Sequence, residues 1–281
     1  AWERASRPCG GRLEVVNPQG KKVLLTGATG GLGRTMAMVL AGAGAELVLT
    51  GRNVEELSNL ASSLPGSGHS VQAADFGTIG AAVELAHRAG EIDILVNNAA
   101  LPGTGRLDEF TEEQLSKALT VNLESPIQLT KALLPGMIER GQGKIVLIGS
   151  LAGKVSSPYS SIYNATKFGL RGFAFGLSAD LAGKPVGVTL VAPGFVAEAG
   201  MFADAGTKAP PGLGTTTPSK VADAVLQAIT GDKLEITVAP FAQRTAAHLG
   251  LITPAFNHRF QSGTSGQKTA GHLARGQVGK R

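Results

Sequence analysis

The sequence is poor in cysteine, in aromatic residues and in long apolar runs. Cys9 is its one cysteine among 281 residues, so an intramolecular disulfide is excluded. Aromatic residues make up 5% of the chain, which argues against a nucleic-acid module built on stacking side chains. No apolar run reaches the roughly 18–20 residues of a transmembrane helix, and residues 1–20 lack the apolar core of a signal peptide. We therefore expect a globular, cytoplasmic protein with no nucleic-acid partner.

Acidic residues are missing from the C-terminal end. Residues 236–281 contain six Lys/Arg and no Asp or Glu, whereas the body from Val23 to Glu235 is net acidic. We expect a lead-in over residues 1–20, one domain over residues 21–240, and a basic, partly disordered extension over residues 241–281. The extension places Leu249, Ile252, Phe256 and Phe260 at near-helical spacing. We prefer a solvated extension, while a pocket cover, an interface or a contact with an anionic membrane stay open.

Short apolar runs alternate with helical stretches along the chain, which predicts a parallel sheet with helices on both faces. The run Ile145–Ile148 is apolar at every position, as in a strand buried on both faces. The expected strands are Lys22–Thr26, Glu46–Thr50, Ser70–Ala74, Ile92–Asn97, Lys144–Gly149, Val186–Ala192 and Leu234–Val238. The expected helices are Gly31–Ala43, Val54–Ser63, Ile79–Ala89, Glu112–Glu139, Ser160–Leu181 and Ser219–Ile229. We therefore expect the α/β class, with a doubly wound, mostly parallel, Rossmann-type sheet in a single domain.

A glycine-rich turn follows the first expected strand and begins the first expected helix. Its glycines Gly27, Gly31 and Gly33 have the spacing G-x-x-x-G-x-G, which differs from the G-x-G-x-x-G dinucleotide fingerprint. A turn in this place aims backbone N–H groups and the positive end of a helix at a pyrophosphate. Because ligands of such sheets bind beyond the carboxyl ends of the strands, a nucleotide cleft is predicted there. The alternative is an ordinary turn.

The second expected strand is followed by Gly51-Arg52-Asn53, with no Asp or Glu. In dinucleotide folds an acidic residue here hydrogen-bonds the ribose 2′-OH, whereas a basic residue accommodates a 2′-phosphate. We therefore expect NADP(H) to be favoured over NAD(H), with Arg52 at the 2′-phosphate. The alternative is a solvated arginine at the start of a helix.

Tyr163 and Lys167 are four residues apart in an expected helix, so their side chains share one face. A free tyrosine has a pKa of ~10, and a nearby positive charge favours its phenolate. Tyr163 could then exchange a proton with a substrate as an acid or a base. Such a pair taken alone arises by chance on many helices. Ser150 lies at the end of the fifth expected strand, where its hydroxyl could hydrogen-bond the substrate oxygen beside Tyr163.

Taken together and in this order, these motifs resemble the short-chain dehydrogenase/reductase family. The family's T-G-x-x-x-G-x-G pattern is matched throughout from Thr26, and its Ser–Tyr spacing and Y-x-x-x-K pattern are matched as well. The resemblance covers about residues 21–240. It implies a nicotinamide cofactor and hydride transfer between an alcohol and a carbonyl, and no metal is expected. The chain departs from the family at Ala100, where N-N-A-G has glycine, and at Glu198, where P-G-x-x-x-T has threonine.

The resemblance also implies a set of site residues. The implied catalytic residues are Asn122, Ser150, Tyr163 and Lys167. Tyr163 would be the general acid or base, Ser150 would orient the substrate oxygen, Lys167 would lower the tyrosine pKa, and Asn122 would complete a proton relay. The expected cofactor-binding residues are Gly27, Thr29, Gly30, Gly31, Leu32, Gly33, Arg52, Asp75, Phe76, Asn98, Ala99, Ala100, Tyr163, Lys167, Pro193, Gly194 and Val196. Asp75 would contact the adenine amino group, with a helix cap as the competing role.

We therefore expect an NADP(H)-dependent oxidoreductase that interconverts an alcohol and a ketone or aldehyde. Two alternatives are a cofactor-binding regulatory or scaffold protein without turnover, and a lyase or epimerase on the same fold. The candidate substrate pocket is mostly apolar, which favours a lipophilic carbonyl. Its expected members are Leu101, Pro102, Leu151, Tyr159, Phe195, Met201 and Phe202. The segment Ala197–Thr217 is a candidate lid or an inert connection. The resemblance implies a homodimer or homotetramer formed through the helices expected at Glu112–Glu139 and Ser160–Leu181.

Overall fold

A computed structural model describes residues 16–207, 209–253, 255 and 264–280 of the chain. Within these residues seven strands form one sheet in the order β3-β2-β1-β4-β5-β6-β7, and every neighbouring pair is parallel. The strands are β1 (Lys22–Thr26), β2 (Glu46–Gly51), β3 (Ser70–Ala73), β4 (Ile94–Asn97), β5 (Gly143–Ile148), β6 (Val186–Pro193) and β7 (Glu235–Val238). The chain first builds outward from β1 to β3 and then returns to place β4 on the other side of β1. This reversal is the switch point at which doubly wound sheets bind ligands.

Ten α-helices are described alongside this sheet. They are α1 (Gly31–Gly42), α2 (Val54–Ser63), α3 (Ala81–Ala89), α4 (Glu112–Leu119), α5 (Ser125–Glu139), α6 (Ser161–Asp180), α7 (Met201–Asp204), α8 (Pro218–Ile229), α9 (Phe241–Ile252) and α10 (Thr264–Gly276). The expected α/β class and the doubly wound, single-domain architecture are confirmed. The observed ends of the strands lie within two residues of the expected ends.

The sheet is buried on both faces because alternate strand residues feed two separate cores. Val23 and Leu25 of β1 belong to the core under α1, α2 and α8, whereas Leu24 belongs to the core under α3, α5 and α6. All three side chains are fully buried. This two-sided burial explains why the central strands are apolar at consecutive positions rather than at every second one.

The single long helix expected over Glu112–Glu139 is divided in the structure. A π-helical segment, Thr120–Glu124, separates α4 from α5. Pro126 supplies the physical reason, because it has no N–H to donate to the carbonyl of Asn122 four residues earlier. A single helical stretch was therefore the wrong prediction at this point. The wider turn sets Asn122 into the protein interior, where 1% of its surface is exposed.

The C-terminal extension is more ordered than expected. Helices α9 and α10 lie in it, and Gln243, Ala247, Ala274 and Gln277 are buried. Helix α10 thus occupies Thr264–Gly276, within the extension for which the sequence predicted partial disorder, and the division into lead-in, domain and extension stays a prediction. Phe256 and Phe260 of the near-helical apolar pattern, like Cys9 and most of the lead-in, lie outside the described residues. No helix in the described ranges is long and apolar enough to cross a membrane.

Candidate active site

One cavity of about 1000 Å³ opens along the carboxyl edge of the sheet. It runs from the end of β2, past the turn between β1 and α1, to the ends of β5 and β6. Every cofactor-binding residue expected from the sequence lines it, and so does Ser150. The sequence prediction therefore selected residues that the fold brings to one place.

The glycines of the turn are required first by the chain's own backbone. Gly27 has a φ of +64°, and a side chain there would meet the Cα of Ala99 at 2.9 Å. A Cβ at Gly33 would collide with the carbonyl oxygen of Gly27, and one at Gly31 would lie 2.7 Å from the Cβ of Ala199. Gly30 is the exception, since its nearest contact would be an ordinary 3.4 Å. Three of the four glycines therefore hold the turn in shape beside the cavity.

Helix α1 directs its amino end into this cavity. Gly30 caps the helix without a side-chain hydrogen bond, and the first turn contains no acidic residue. The positive end of the helix dipole is therefore not neutralised by the chain's own side chains. Such an end favours an anionic group, and the glycine backbone leaves the approach open. This part of the cavity fits the pyrophosphate of a dinucleotide.

Asn98 braces the turn from β4. Its side-chain amide donates to the carbonyl oxygens of Thr26 and Gly27 at 2.9 and 3.1 Å. The Thr26 hydroxyl in turn accepts from the backbone N–H groups of Asn98 and Ala99, both at 2.9 Å. These bonds tie β1 to β4 at the switch point.

At the far end of the cavity, Arg52 is exposed and makes no salt bridge or side-chain hydrogen bond within the described residues. Arg34 on α1 differs from Arg52, because its guanidinium is already paired with Glu56 at 2.8 Å and with the Thr29 carbonyl at 2.9 Å. Arg52 therefore has an unengaged guanidinium on the cavity wall, and no acidic residue follows β2 directly. This arrangement is compatible with a phosphate on the adenosine ribose.

Asp75 does not cap a helix. Its carboxylate accepts from the backbone N–H of Gly77 at 3.0 Å, which closes a local turn, while α3 begins later with Gly80 as its cap. The competing role considered for Asp75 is therefore wrong. The residue lines the cavity beside Phe76 and Ala74.

Ser150, Tyr163 and Lys167 converge at the opposite end of the cavity. Ser150 follows β5 directly, and α6 carries the other two on one face, with the Lys167 Nζ 5.7 Å from the centre of the Tyr163 ring. Lys167 is 3% exposed and its Nζ donates to the Ile148 carbonyl at 2.9 Å. A close approach supports this packing, since a side chain at Gly153 would lie 2.6 Å from the Lys167 carbonyl oxygen. The loop after β5 is thus pressed against the helix that carries the pair.

Burial shifts both titratable groups of the pair. It raises the pKa of the Tyr163 phenol, although Tyr163 keeps some exposure to the cavity, and a hydrogen bond with Ser150 acts in the lowering direction. Burial also lowers the pKa of the Lys167 ammonium to about 8. The net shift of the tyrosine pKa is therefore upward because burial outweighs the lowering influence of Ser150, and a lowering contribution from Lys167 stays a prediction. The neutral phenol is the favoured form of Tyr163.

Asn122 lies behind this group rather than on the cavity wall. Its Oδ1 accepts from the Leu101 N–H at 2.6 Å, and its Nδ2 donates to the Leu101 carbonyl at 2.8 Å. The neighbouring Val121 and Leu101 line the cavity, whereas Asn122 does not. The structure thus places Asn122 as a brace for the loop after β4, and its part in a proton relay stays a prediction.

The sequence patterns missed a second asparagine on α6. Asn164 is 7% exposed, and its Nδ2 donates to the carbonyls of Ala152 and Val155 at 2.7 and 2.9 Å. Its Oδ1 accepts from the Ser157 N–H at 3.3 Å. Asn164 therefore fixes the loop that follows Ser150. The one signal in the sequence for this role was the position of Asn164 next to Tyr163. A buried amide in a protein normally has hydrogen-bond partners, as Asn164 does here.

The substrate end of the cavity contains six of the seven expected apolar residues. Tyr159 is not among the lining residues; it has a φ of +56°, and a Cβ at Gly271 would lie 3.8 Å from its ring. The expected role of Tyr159 in the pocket is therefore wrong, because its backbone turns the ring toward α10. The rings of Phe195 and Phe202 contact each other with centroids 4.7 Å apart.

The C-terminal helices supply walls of the cavity, as the pocket-cover alternative for the segment with Leu249 allowed. Gln243 of α9 is 3% exposed; its Oε1 accepts from the Phe195 N–H at 3.1 Å, and its Nε2 donates to the Gly214 carbonyl at 2.7 Å. Thr216 forms a β-bridge with Val196, so the segment Ala197–Thr217, a candidate lid or an inert connection, is attached near the end of β6. Cavity-lining residues from this region are Gln243, Ala246, Ala247, Leu249, Gly250, Leu273 and Gln277. Of these residues, the apolar spacing in the sequence marked Leu249 alone.

Comparison with known proteins fits this geometry. The family described as short chain dehydrogenase matches residues 21–209. The chain belongs to the short-chain dehydrogenase/reductase family. Its fold and the motif positions that line the cavity are those of an oxidoreductase family that acts on CH–OH or keto groups.

Individual relatives in the family are similar over most of their length. The chain is 36% identical to the ketoacyl reductase HetN of Nostoc over 225 residues, 78% of each protein. It is 34% identical to the mouse dehydrogenase/reductase SDR family member 7B over 258 residues, 85% of this chain and 80% of the mouse protein. A solved actinorhodin polyketide ketoreductase with NADPH superposes with a TM-score of 0.71 at 29% identity, over 83% of this chain and 98% of that one.

The two departures from the family patterns differ in their effect. Ala100 lines the cavity and adds its methyl group there. Glu198 is exposed, does not line the cavity, and has a φ of +70°. Glu198 is therefore exposed to solvent and does not replace the family's threonine at the cavity wall.

Proposed function

We propose that this chain is an NADP(H)-dependent reductase of lipophilic ketones, with Tyr163 as the proton donor. One observation carries the proposal: Ser150, Tyr163 and Lys167 share a single cavity with the glycine turn and with the unpaired Arg52. A dinucleotide seated on the turn and a carbonyl beside Tyr163 would therefore occupy one continuous space. Membership of an oxidoreductase family supports the same reaction class.

The chain's own residues would divide the work as follows. NADP(H), when bound, supplies the hydride for the carbonyl carbon. Tyr163 donates its phenolic proton to the carbonyl oxygen as that oxygen gains negative charge. Ser150 donates a hydrogen bond to the same oxygen and so holds it next to the phenol. Lys167, mostly an ammonium at neutral pH because its pKa is about 8, stabilises the phenolate that remains.

Relatives of the chain support reduction as the direction. Burial raises the pKa of Tyr163, so the phenol holds its proton until a basic oxygen develops beside it. The same group would act as the base in the reverse reaction, so its pKa serves both directions. The names of the ketoacyl reductase HetN and of the actinorhodin ketoreductase, both similar to this chain, favour carbonyl reduction.

The choice of cofactor and of substrate rests on the two ends of the cavity. Arg52 is the basic residue at the ribose end, and the actinorhodin ketoreductase that this chain resembles binds NADPH. The substrate end is lined by Leu101, Leu151, Phe195 and Phe202 among other apolar residues. Apolar walls with one polar group that fixes orientation favour a lipophilic ketone.

NADPH oxidation with a panel of lipophilic ketones, read by absorbance, tests this function. Tyr163→Phe should lower kcat by about 10³-fold, because the proton donor is removed, while the thermal shift caused by NADPH persists. Tyr159→Phe is the matched control, since Tyr159 does not line the cavity, and its kcat should stay near that of the wild type.

Three outcomes would contradict the proposal. Undiminished turnover in Tyr163→Phe would remove Tyr163 from the chemistry. Binding of NADPH without turnover of any ketone by the wild type would favour a regulatory or scaffold protein. Substrate conversion without net NADPH consumption would favour a lyase or epimerase.

We also propose that the chain forms a homo-oligomer through α5 and α6. An apolar groove lies along these helices, lined by Ile127, Leu134, Ile138, Phe173 and Leu177 together with a few polar neighbours. Long apolar faces of this kind are commonly covered by a second copy of the same chain.

A further inference from the structure

Gln277 directly follows α10 near the end of the described residues, and it is buried. It is 2% exposed, and both ends of its side-chain amide are engaged. The Oε1 accepts from the Thr104 hydroxyl, and the Nε2 donates to the Met201 carbonyl at 2.8 Å. Thr104 is itself 4% exposed. A buried amide that satisfies two partners from distant segments fixes those segments relative to each other.

The two segments joined by Gln277 both line the substrate end of the cavity. Thr104 belongs to the loop after β4, where the Gly103 carbonyl accepts from the Tyr163 N–H at 3.1 Å. Met201 begins α7, whose Met201 and Phe202 side chains line the cavity. Gln277 therefore connects the loop that contacts the backbone of Tyr163 to the helix that carries the apolar wall.

The backbone of α10 reaches this position by a close approach to α7. A Cβ at Gly276 would lie 2.6 Å from the carbonyl oxygen of Ala205 and 2.9 Å from its Cβ. Contacts this short with backbone atoms cannot be relieved by a side-chain rotation, so a residue larger than glycine would push the segment away. Leu273 and Gln277 then line the cavity from this side.

We propose that Gln277 is a specificity-determining residue that closes the substrate end of the cavity and selects compact lipophilic ketones over bulky ones. The inference rests on the proposed function for its substrate class. Docking of α10 through Gly276 and the two hydrogen bonds of Gln277 set the distance between the β4 loop and α7. We call this connection of the β4 loop, Gln277 and α7 the clamp. A compact ketone fits beside Phe202 and Leu273, which both line the cavity, whereas a bulky one needs the clamp to open.

Two variants of the full chain test the clamp, each against a matched control. Gly276→Ala blocks the approach to Ala205, and Gln277→Met removes both hydrogen bonds with little change in volume. Val278→Ala is the control, because Val278 is adjacent but 54% exposed. Hydrogen exchange of residues 199–206, read by mass spectrometry, should be about tenfold faster in both variants than in the wild type and the control.

Selectivity is measured with cyclohexanone and dicyclohexyl ketone. Binding is followed by thermal shift in the NADP⁺ complex, where no reduction occurs, and turnover is followed with NADPH. Both variants should lose about tenfold in the preference for cyclohexanone, through KM rather than kcat, with the KM of NADPH unchanged. The control should keep the wild-type preference.

The possible failures are distinguishable. Equal exchange rates in Gly276→Ala and Val278→Ala, or an unchanged preference between the two ketones, would overturn the clamp. If the exchange rates and the binding preference change as expected but the wild type oxidises no NADPH with either ketone, the proposed reaction is refuted and the clamp is upheld.

Discussion

At the scale of single residues, burial acts in opposite directions on the two titratable groups of α6. A buried phenol keeps its proton more firmly, and a buried ammonium gives its proton up more readily. Tyr163 is therefore neutral over the physiological range, and Lys167 is close to its titration point. The pair lies beside Ser150, whose hydrogen bond moderates the shift of the phenol.

Arg52 leads to a prediction on cofactor preference. Arg52→Ala should weaken NADPH binding by about 10-fold to 100-fold and change NADH binding little, because only NADPH carries the 2′-phosphate that the guanidinium would contact. Calorimetric titration with the two cofactors measures the ratio. Arg34→Ala is the control, since that guanidinium is paired with Glu56. Equal losses for NADPH and NADH in Arg52→Ala would show that Arg52 does not contact the phosphate.

At the scale of elements, the site depends on where regular structure is interrupted. Pro126 widens the helix into a π-turn, and this places Asn122 against Leu101. The glycine turn joins the end of β1 to the start of α1. Its backbone leaves no room for side chains at Gly27, Gly31 and Gly33. These interruptions, rather than the helices and strands themselves, determine the shape of the cavity wall.

Strand β5 leads to a prediction on stability. Lys144 is 3% exposed, its Nζ donates to the Gly231 carbonyl at 2.8 Å, and burial lowers its pKa to about 8, against a raising influence of Asp232. Between pH of about 8 and the ordinary lysine value of ~10.4, the unfolded chain binds more protons than the native one, so this group makes stability rise with pH. Lys144→Met should remove that dependence and raise the free energy of unfolding at neutral pH by about 1–3 kcal/mol.

Urea unfolding across this pH range measures the effect. Lys220→Met is the control, because Lys220 is exposed on α8, and its curve should follow that of the wild type. A Lys144→Met protein that is less stable than the wild type at neutral pH would show that the bond to Gly231 outweighs the burial of the charge.

At the scale of the whole molecule, the sheet brings together residues from the entire described chain. The cavity collects Gly27, Arg52, Asn98, Ser150 and Gln277, which are far apart in sequence but lie at one edge of the sheet. The outer face of α5 and α6, by contrast, takes no part in the cavity and carries the apolar groove. The cavity and the groove share no lining residue, so the proposed reaction and the proposed assembly would use different surfaces.

The groove leads to a prediction on assembly. The wild type should sediment as a homodimer or homotetramer, and Phe173→Glu should shift it toward the monomer by about 100-fold in dissociation constant, because a charge would be buried in an apolar interface. Analytical ultracentrifugation measures the mass. Ile79→Glu is the control, since Ile79 is 91% exposed away from the groove. A wild type that is monomeric at all concentrations would remove this assembly.

Much of the fold followed from local patterns. The strands are apolar because they are buried on both faces, and the alternation with helices allows few topologies other than a parallel, doubly wound sheet. The sequence predicted that Ser150, Tyr163 and Lys167 line one cavity, because their spacing along the chain places them together at the carboxyl edge of the sheet. The division of the helix at Pro126 was missed, although a proline in the interior of an expected helix marks a kink or a break there.

The sequence alone determined the class of fold, the family and the residues that meet at the carboxyl edge of the sheet, since these depend on periodicity and on motifs that are short along the chain. Only the tertiary structure decided the burial that raises the pKa of Tyr163, the turn of Tyr159 toward α10, and the contacts of Gln243 and Gln277 with the cavity. The contacts of Gln243 and Gln277 join residues 29 to 173 positions apart, and no local pattern encodes which side chains will meet when the C-terminal helices fold back over the sheet.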